Sequence, residues 1–168
     1  MRSAVRRSAV VCVAALGAAA CEDSATGPAE ELRLTTSVQP AEFRARTPVG
    51  VTLTITNTGS RTRAVYAGDC EDPFTITASD GRSVPPAVRV CNLGIRAPLE
   101  VGPGQQRVVT YTWYGDVGTD APGLLSVPLP PGEYQLRGFV RALGRLRAND
   151  HYDVDSIRAE RVAIRVLP

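Results

Sequence analysis

From residue 32 onward, apolar and polar positions alternate with a period of two. That is the repeat of a β-strand whose successive side chains point to opposite faces. Leu32, Leu34 and Thr36 alternate with polar neighbours, and Val38 precedes Gln39-Pro40. Val49, Val51, Leu53 and Ile55 alternate with Gly50, Thr52, Thr54 and Thr56, which predicts a strand with its apolar side inward and its threonines outward. It ends in Asn57-Thr58-Gly59-Ser60, a turn cluster. Arg63 to Tyr66 reads as a short strand. Phe74, Ile76 and Ala78 form another, closed by Ser79-Asp80-Gly81, a hairpin-type turn, and Ala87 to Cys91 a further short one.

After Val101-Gly102-Pro103-Gly104, the stretch Gln106 to Tyr114 predicts a strong strand, with Val109, Tyr111 and Trp113 on one face and Val108, Thr110 and Thr112 on the other. Gly115 to Pro131 reads as a loop. The next strand runs from Tyr134 to about Leu143, with Tyr134, Leu136 and Val140 on one face. The last runs from Arg161 to Leu167, with Val162, Ile164 and Val166 inward. The pattern contains no convincing amphipathic helix; Leu143 to Arg147 offers at most one turn. Short strands separated by turn signals predict an all-β, antiparallel β-sandwich of about seven strands. Val51, Leu53, Ile55, Trp113, Tyr134 and Leu136 are its expected core residues. Tyr134 follows a Pro-Gly corner and has two readings: a core tyrosine at a strand start, or one whose hydroxyl bonds back to the corner backbone.

The N-terminal end follows different rules. Three arginines lie within residues 1–7, followed by the apolar run SAVVCVAALGAAA over residues 8–20 and then by Cys21. A positive start, an apolar stretch of about 7–15 residues and small residues at its end define a secretory signal. The run is shorter than the roughly 20 residues needed to span a bilayer. Residues 17–21, Gly-Ala-Ala-Ala-Cys, resemble the lipobox of bacterial lipoproteins, with Ala18 where leucine is usual. The resemblance implies cleavage after Ala20 and acylation of Cys21, whose chains (palmitate among them) would hold the protein to the bilayer. Glu22 is not the aspartate linked to inner-membrane retention, which favours the outer membrane. The expected organisation is therefore a signal over 1–20, an acylated Cys21 with a short acidic tether over 21–31, and one folded domain over 32–168.

The signal also carries the apparent basicity. All 19 cationic side chains are arginine, and removing Arg2, Arg6 and Arg7 leaves 16 against 17 Asp plus Glu, a net of −1. No clustered basic face argues for nucleic acid. Of the four cysteines, Cys12 leaves with the signal and Cys21 is the lipidation site. Cys70 and Cys91 then face an oxidising compartment, where a disulfide is the natural reading. A metal site fails on count, because two distant cysteines and the single His151 make no zinc spacing.

In order along the chain, VTLTITNTG (51–59), FTITASDG (74–81), VGPG (101–104) and PGEY (131–134) resemble the bacterial intracellular proteinase-inhibitor family. The resemblance covers about residues 49–142. It implies an immunoglobulin-like sandwich and protease inhibition, although RSVPP (82–86) replaces that family's aromatic-rich segment and no inhibitory residue carries over.

Candidate chemistry is sparse. NDHYDVDS (149–156) could offer oxygen ligands to a hard cation, but it lacks the calcium-loop pattern and reads as a solvated hairpin tip. Asp116 and Asp120 are merely spaced along the Gly115 loop. No nucleophile elbow, P-loop or HExxH motif is present, so no catalytic residue, metal ligand or cofactor is assigned. The leading expectation is a non-enzymatic, lipid-anchored module that binds an envelope protein through Cys70–Phe74, Ser83–Arg96 and Gly115–Pro131. Inhibition of an envelope protease, and a structural envelope role without a discrete ligand, are the alternatives. A small hydrolase or carbohydrate binder is a fourth, for which a pocket of convergent polar groups would be needed.

Overall fold

The computed structural model describes residues 30–67, 73–85, 87, 97–119, 126–146 and 152–168. These form an all-β sandwich whose sheets are antiparallel apart from one short strand pair. The strands are β1 (Leu32–Gln39), β2 (Glu42–Arg44), β3 (Val49–Asn57), β4 (Arg63–Tyr66), β5 (Phe74–Ala78), β6 (Ser83–Val84), β7 (Leu99–Val101), β8 (Gln106–Trp113), β9 (Asp116–Val117), β10 (Val127–Pro128), β11 (Gly132–Leu146), β12 (Tyr152–Arg158) and β13 (Val162–Leu167). Seven of them (β1, β3, β5, β8, β11, β12 and β13) are five residues or longer; the rest are short edge or corner pieces.

One sheet is β1-β3-β8. Its inner rows are apolar. Its outer face is a hydroxyl layer in which Thr52 pairs across with Ser37 on one side and Thr110 on the other, the two threonine hydroxyls lying 3.2 Å apart. After β1 the chain crosses to the other sheet through a cis Gln39–Pro40 bond, and β2 runs parallel to β13.

The second sheet is organised by β11, which at 15 residues extends about 50 Å at strand rise. It is long enough to take two partners on each side. Its first half lies between β13 and β5, its second between β12 and β4. On one side β12 and β13 act as a single strand with a kink. Arg158 opposes Phe139 and Val162 opposes Leu136, so four steps on one strand face three on the other. On the other side Tyr66 opposes Arg141 and Phe74 opposes Gly138. Eight steps face three there, so β4 and β5 pair with successive parts of the same edge of β11. Their outer neighbours, β7 and β6, are separated by the segment that includes Cys91.

Three expectations change. Of residues 149–156, expected as a polar hairpin tip, 149–151 lie outside the described residues and 152–156 belong to β12, which pairs along β11 and buries Ile157. Residues 143–146 continue β11 as strand instead of turning helical. Gly115 to Pro131 is also not loop throughout, since β9 and β10 pair within it.

The core has two clusters. One gathers Val38, Phe43, Val49, Val51, Phe74, Ile76, Trp113, Tyr134, Leu136 and Ile164; the other Leu32, Leu34, Leu53, Ile55, Val65, Val101, Val140 and Ile157. Tyr111 packs against both, and its hydroxyl donates to the Ala67 carbonyl. Between them the sheets pinch together at Gly138, where a Cβ would collide with Thr36 Oγ1 and Leu53 Cδ2. Only glycine allows so close an approach.

Candidate binding surfaces

Val51, Leu53, Ile55 and Leu136 have no exposed surface, Trp113 is 1% exposed and Tyr134 9%. Trp113 closes the end of β8. Phe43 and Phe74 meet its ring edge-on, with centroids 5.5 and 5.4 Å away. This is a favoured aromatic geometry. Its indole N–H donates to the Asp116 carbonyl at 2.9 Å. The Tyr134 hydroxyl donates to the Pro130 carbonyl at 2.9 Å, so of the two readings of Tyr134 the corner bond is the one present. Burial pushes its phenol pKa up.

The described ends of two of the three candidate contact segments meet at Trp113, and the third joins them through Pro85. Phe74 touches the indole ring, and Asp116 takes its N–H. The Gly118 N–H donates to the Pro85 carbonyl at 2.8 Å, and the Leu129 N–H to the Gly115 carbonyl at 2.7 Å. Val117 and Leu129 are buried beneath. A fourth fixed point is the β5–β6 turn. There the Arg82 backbone N–H and guanidinium bond both oxygens of Asp80, at 3.0 and 2.6 Å, and hold its carboxyl below the usual carboxylate range. Cys21, Cys70, Cys91, Asp120 and His151 lie outside the described residues. Among the described residues, no group of three or more His, Cys, Asp or Glu side chains could hold a metal, and no helix is long and apolar enough to cross a membrane.

The outer face of the second sheet carries a feature that the sequence reading missed. At one end its cross-strand neighbours alternate in sign: Glu133 opposes Arg165, which opposes Glu42. Further along β11, Arg137, Phe139 and Arg141 point outward in succession, with Arg158 across from Phe139 and Ser156 across from Arg141. Thr75 stands across from Arg137 on the other side. These six side chains line a depression of about 210 Å³. Arg137 Nε donates to the Ala159 carbonyl at 2.8 Å, which fixes its guanidinium. A groove of about 470 Å³ adjoins it through Arg158 and is lined by Arg33 and Arg161 as well as Glu160. The alternation along β11 already aims Arg137 and Arg141 outward; what the sequence lacks is the register that brings Arg158 beside them.

No protein-family model matches the chain, and no curated protein matches it. Among solved structures it is similar to a Northeast Structural Genomics Consortium target, at 12% identity and TM-score 0.46, over 83% of this chain and 89% of that one. It is similar to the C-terminal domain of wzt at 13% identity and TM-score 0.46, over 82% of this chain and 74% of that one. A β-glucosidase from Listeria innocua in complex with isofagomine is similar at 20% identity and TM-score 0.36, over 77% of this chain but 16% of the enzyme. Likenesses this distant assign neither activity nor partner.

Proposed function

We propose that this chain is an exported lipoprotein, anchored in the bilayer through acylated Cys21, whose immunoglobulin-like module binds a protein partner in the bacterial cell envelope, at the outer membrane, without catalysing a reaction. The observation that carries this reading is the node at Trp113. Phe74, at the described end of the first segment, packs on the buried indole, Asp116 of the third accepts its N–H, and Pro85 of the second accepts the N–H of Gly118 in the third. Loops that leave a rigid base lose less conformational entropy on binding than free loops do, and recognition in sandwiches is concentrated on such loops.

Photo-crosslinking in cells tests the proposal. A crosslinking side chain placed at Ser83, Thr119 or Ser126 is expected to capture one discrete envelope protein, whereas one at Ser37 or Thr54, on the hydroxyl face of the first sheet, is not. Equal capture at both sets of positions, or none at the first, would sink it.

A further inference from the structure

We propose that the outer face of the second sheet holds an oxyanion site for a phosphate group, gripped between Arg137 and Arg158 and bordered by Arg141, Ser156 and Thr75. The inference goes beyond the protein-partner reading and does not rest on it.

Three observations converge. The first is charge placement. The same sheet face pairs Glu133, Arg165 and Glu42 across neighbouring strands, yet surrounds Phe139 with three arginines. Among the described residues neither Arg137 nor Arg158 forms an ion pair. The second is preorganisation. The Ala159 carbonyl occupies Arg137 Nε, so one edge of that guanidinium is committed and its two terminal nitrogens keep donors for a ligand. The third is shape. Arg137 and Arg141 are about 13 Å apart along β11, and Arg158 lies midway on the adjacent strand. Arg137 and Arg158 therefore reach the depression from two adjacent strands, with Ser156 on its flank and the Thr75 hydroxyl, which donates to the Arg137 carbonyl at 3.5 Å, on the other side. A carboxylate, with two oxygens, is satisfied by one arginine fork. A phosphate group presents oxygens in several directions and takes charge-assisted bonds from more than one guanidinium. The group could belong to a lipid headgroup or to a soluble phosphate.

Arginine labelling by phenylglyoxal, read residue by residue by mass spectrometry on the full chain, tests the site and separates the two sources. In detergent, replacing chloride with inorganic phosphate at equal ionic strength is expected to slow labelling of Arg137 and Arg158 about threefold or more, while Arg165 is unaffected. Arg158→Gln is expected to raise the phosphate concentration for half-protection of Arg137 about tenfold, the effect of losing one charge-assisted contact. Arg165→Gln should leave it unchanged. In nanodiscs without free phosphate, protection beyond that seen in detergent identifies a lipid headgroup as the source, with phosphatidylglycerol protecting more than phosphatidylcholine, whose choline offsets its phosphate charge; protection by free phosphate alone identifies a soluble one. If neither protects Arg137 and Arg158 beyond Arg165, the proposal is overturned. Should Arg158→Gln prove unfolded by circular dichroism, Arg141→Gln, on the rim, is the second variant, and an unchanged half-protection concentration there counts against the site.

Discussion

Asn57 is a fully buried polar residue, and its side chain is saturated with partners. Nδ2 donates to the carbonyls of Arg61 and Val101 at 2.7 and 2.8 Å, while Oδ1 accepts the Gly59 N–H at 2.9 Å. One amide thereby closes the turn after β3 and ties it to β7. Asn57→Asp keeps the shape but turns the donor into an oxygen facing two carbonyls. It is expected to cost about 3 kcal/mol or more in urea unfolding at neutral pH, and less in acid, where the carboxyl regains a donor. A loss below about 1 kcal/mol would mean the clamp contributes little. Tyr134 gives a pH-dependent counterpart. Burial raises its folded pKa above the ordinary value, so the folded state holds the phenolic proton more tightly than the unfolded chain does. This contribution is complete below about pH 10 and is lost as pH rises through the folded value. Tyr134→Phe should be less stable by about 1 kcal/mol at neutral pH, through loss of the bond to Pro130. Above about pH 10 its melting temperature should fall less steeply than that of the native protein. Parallel curves through that range would refute the assignment.

At the scale of elements, the pinch at Gly138 decides how the two sheets meet. A methyl group there would strike Thr36 Oγ1 and Leu53 Cδ2, so Gly138→Ala should destabilise by about 1–3 kcal/mol through overpacking. Thr36 Oγ1 is itself buried without a hydrogen-bond partner. Thr36→Val, nearly the same shape, should raise stability by up to about 1 kcal/mol; a decrease in thermal or urea midpoint would show that the hydroxyl is solvated. The strands that meet here were not equally legible. β1, β3, β5 and β8 each bury one side only, so their alternation is written in the sequence. β12 hides because its residues read as a polar run and only its pairing with the far half of β11 makes them a strand. β2 has one inward residue, Phe43, and no period can be read from three positions. The arginine depression inherits this limit. Arg137 and Arg141 are outward by alternation, but Arg158 joins them only through the β11–β12 register.

For the whole molecule, the interruptions in one sheet edge bear on the two remaining cysteines. Ala67 and Pro73 flank one sequence stretch between β4 and β5, and Pro85 and Ala97 flank another between β6 and β7. Cys70 and Cys91 fall between these described residues in the sequence and lie outside the described structure. A bridge between them would close about 20 residues and stabilise the fold by about 3 kcal/mol through restriction of the unfolded chain. That is a large share of the roughly 5–15 kcal/mol typical of a domain. The compartment that permits such a bond is the one to which the Cys21 signal would deliver the chain. The two inferences are thus linked and can be read in one experiment. Mass spectrometry of protein purified from membranes without reductant should find an N-terminal peptide that begins at acylated Cys21 and a digest product joining the Cys70 and Cys91 peptides. The double variant Cys70→Ser/Cys91→Ser should then unfold at lower denaturant by an amount corresponding to about 3 kcal/mol, while keeping its acylated N-terminus. Two free thiols in the unreduced protein would remove the bridge without touching the anchor, and an unacylated N-terminus upstream of Cys21 would remove the anchor without touching the bridge.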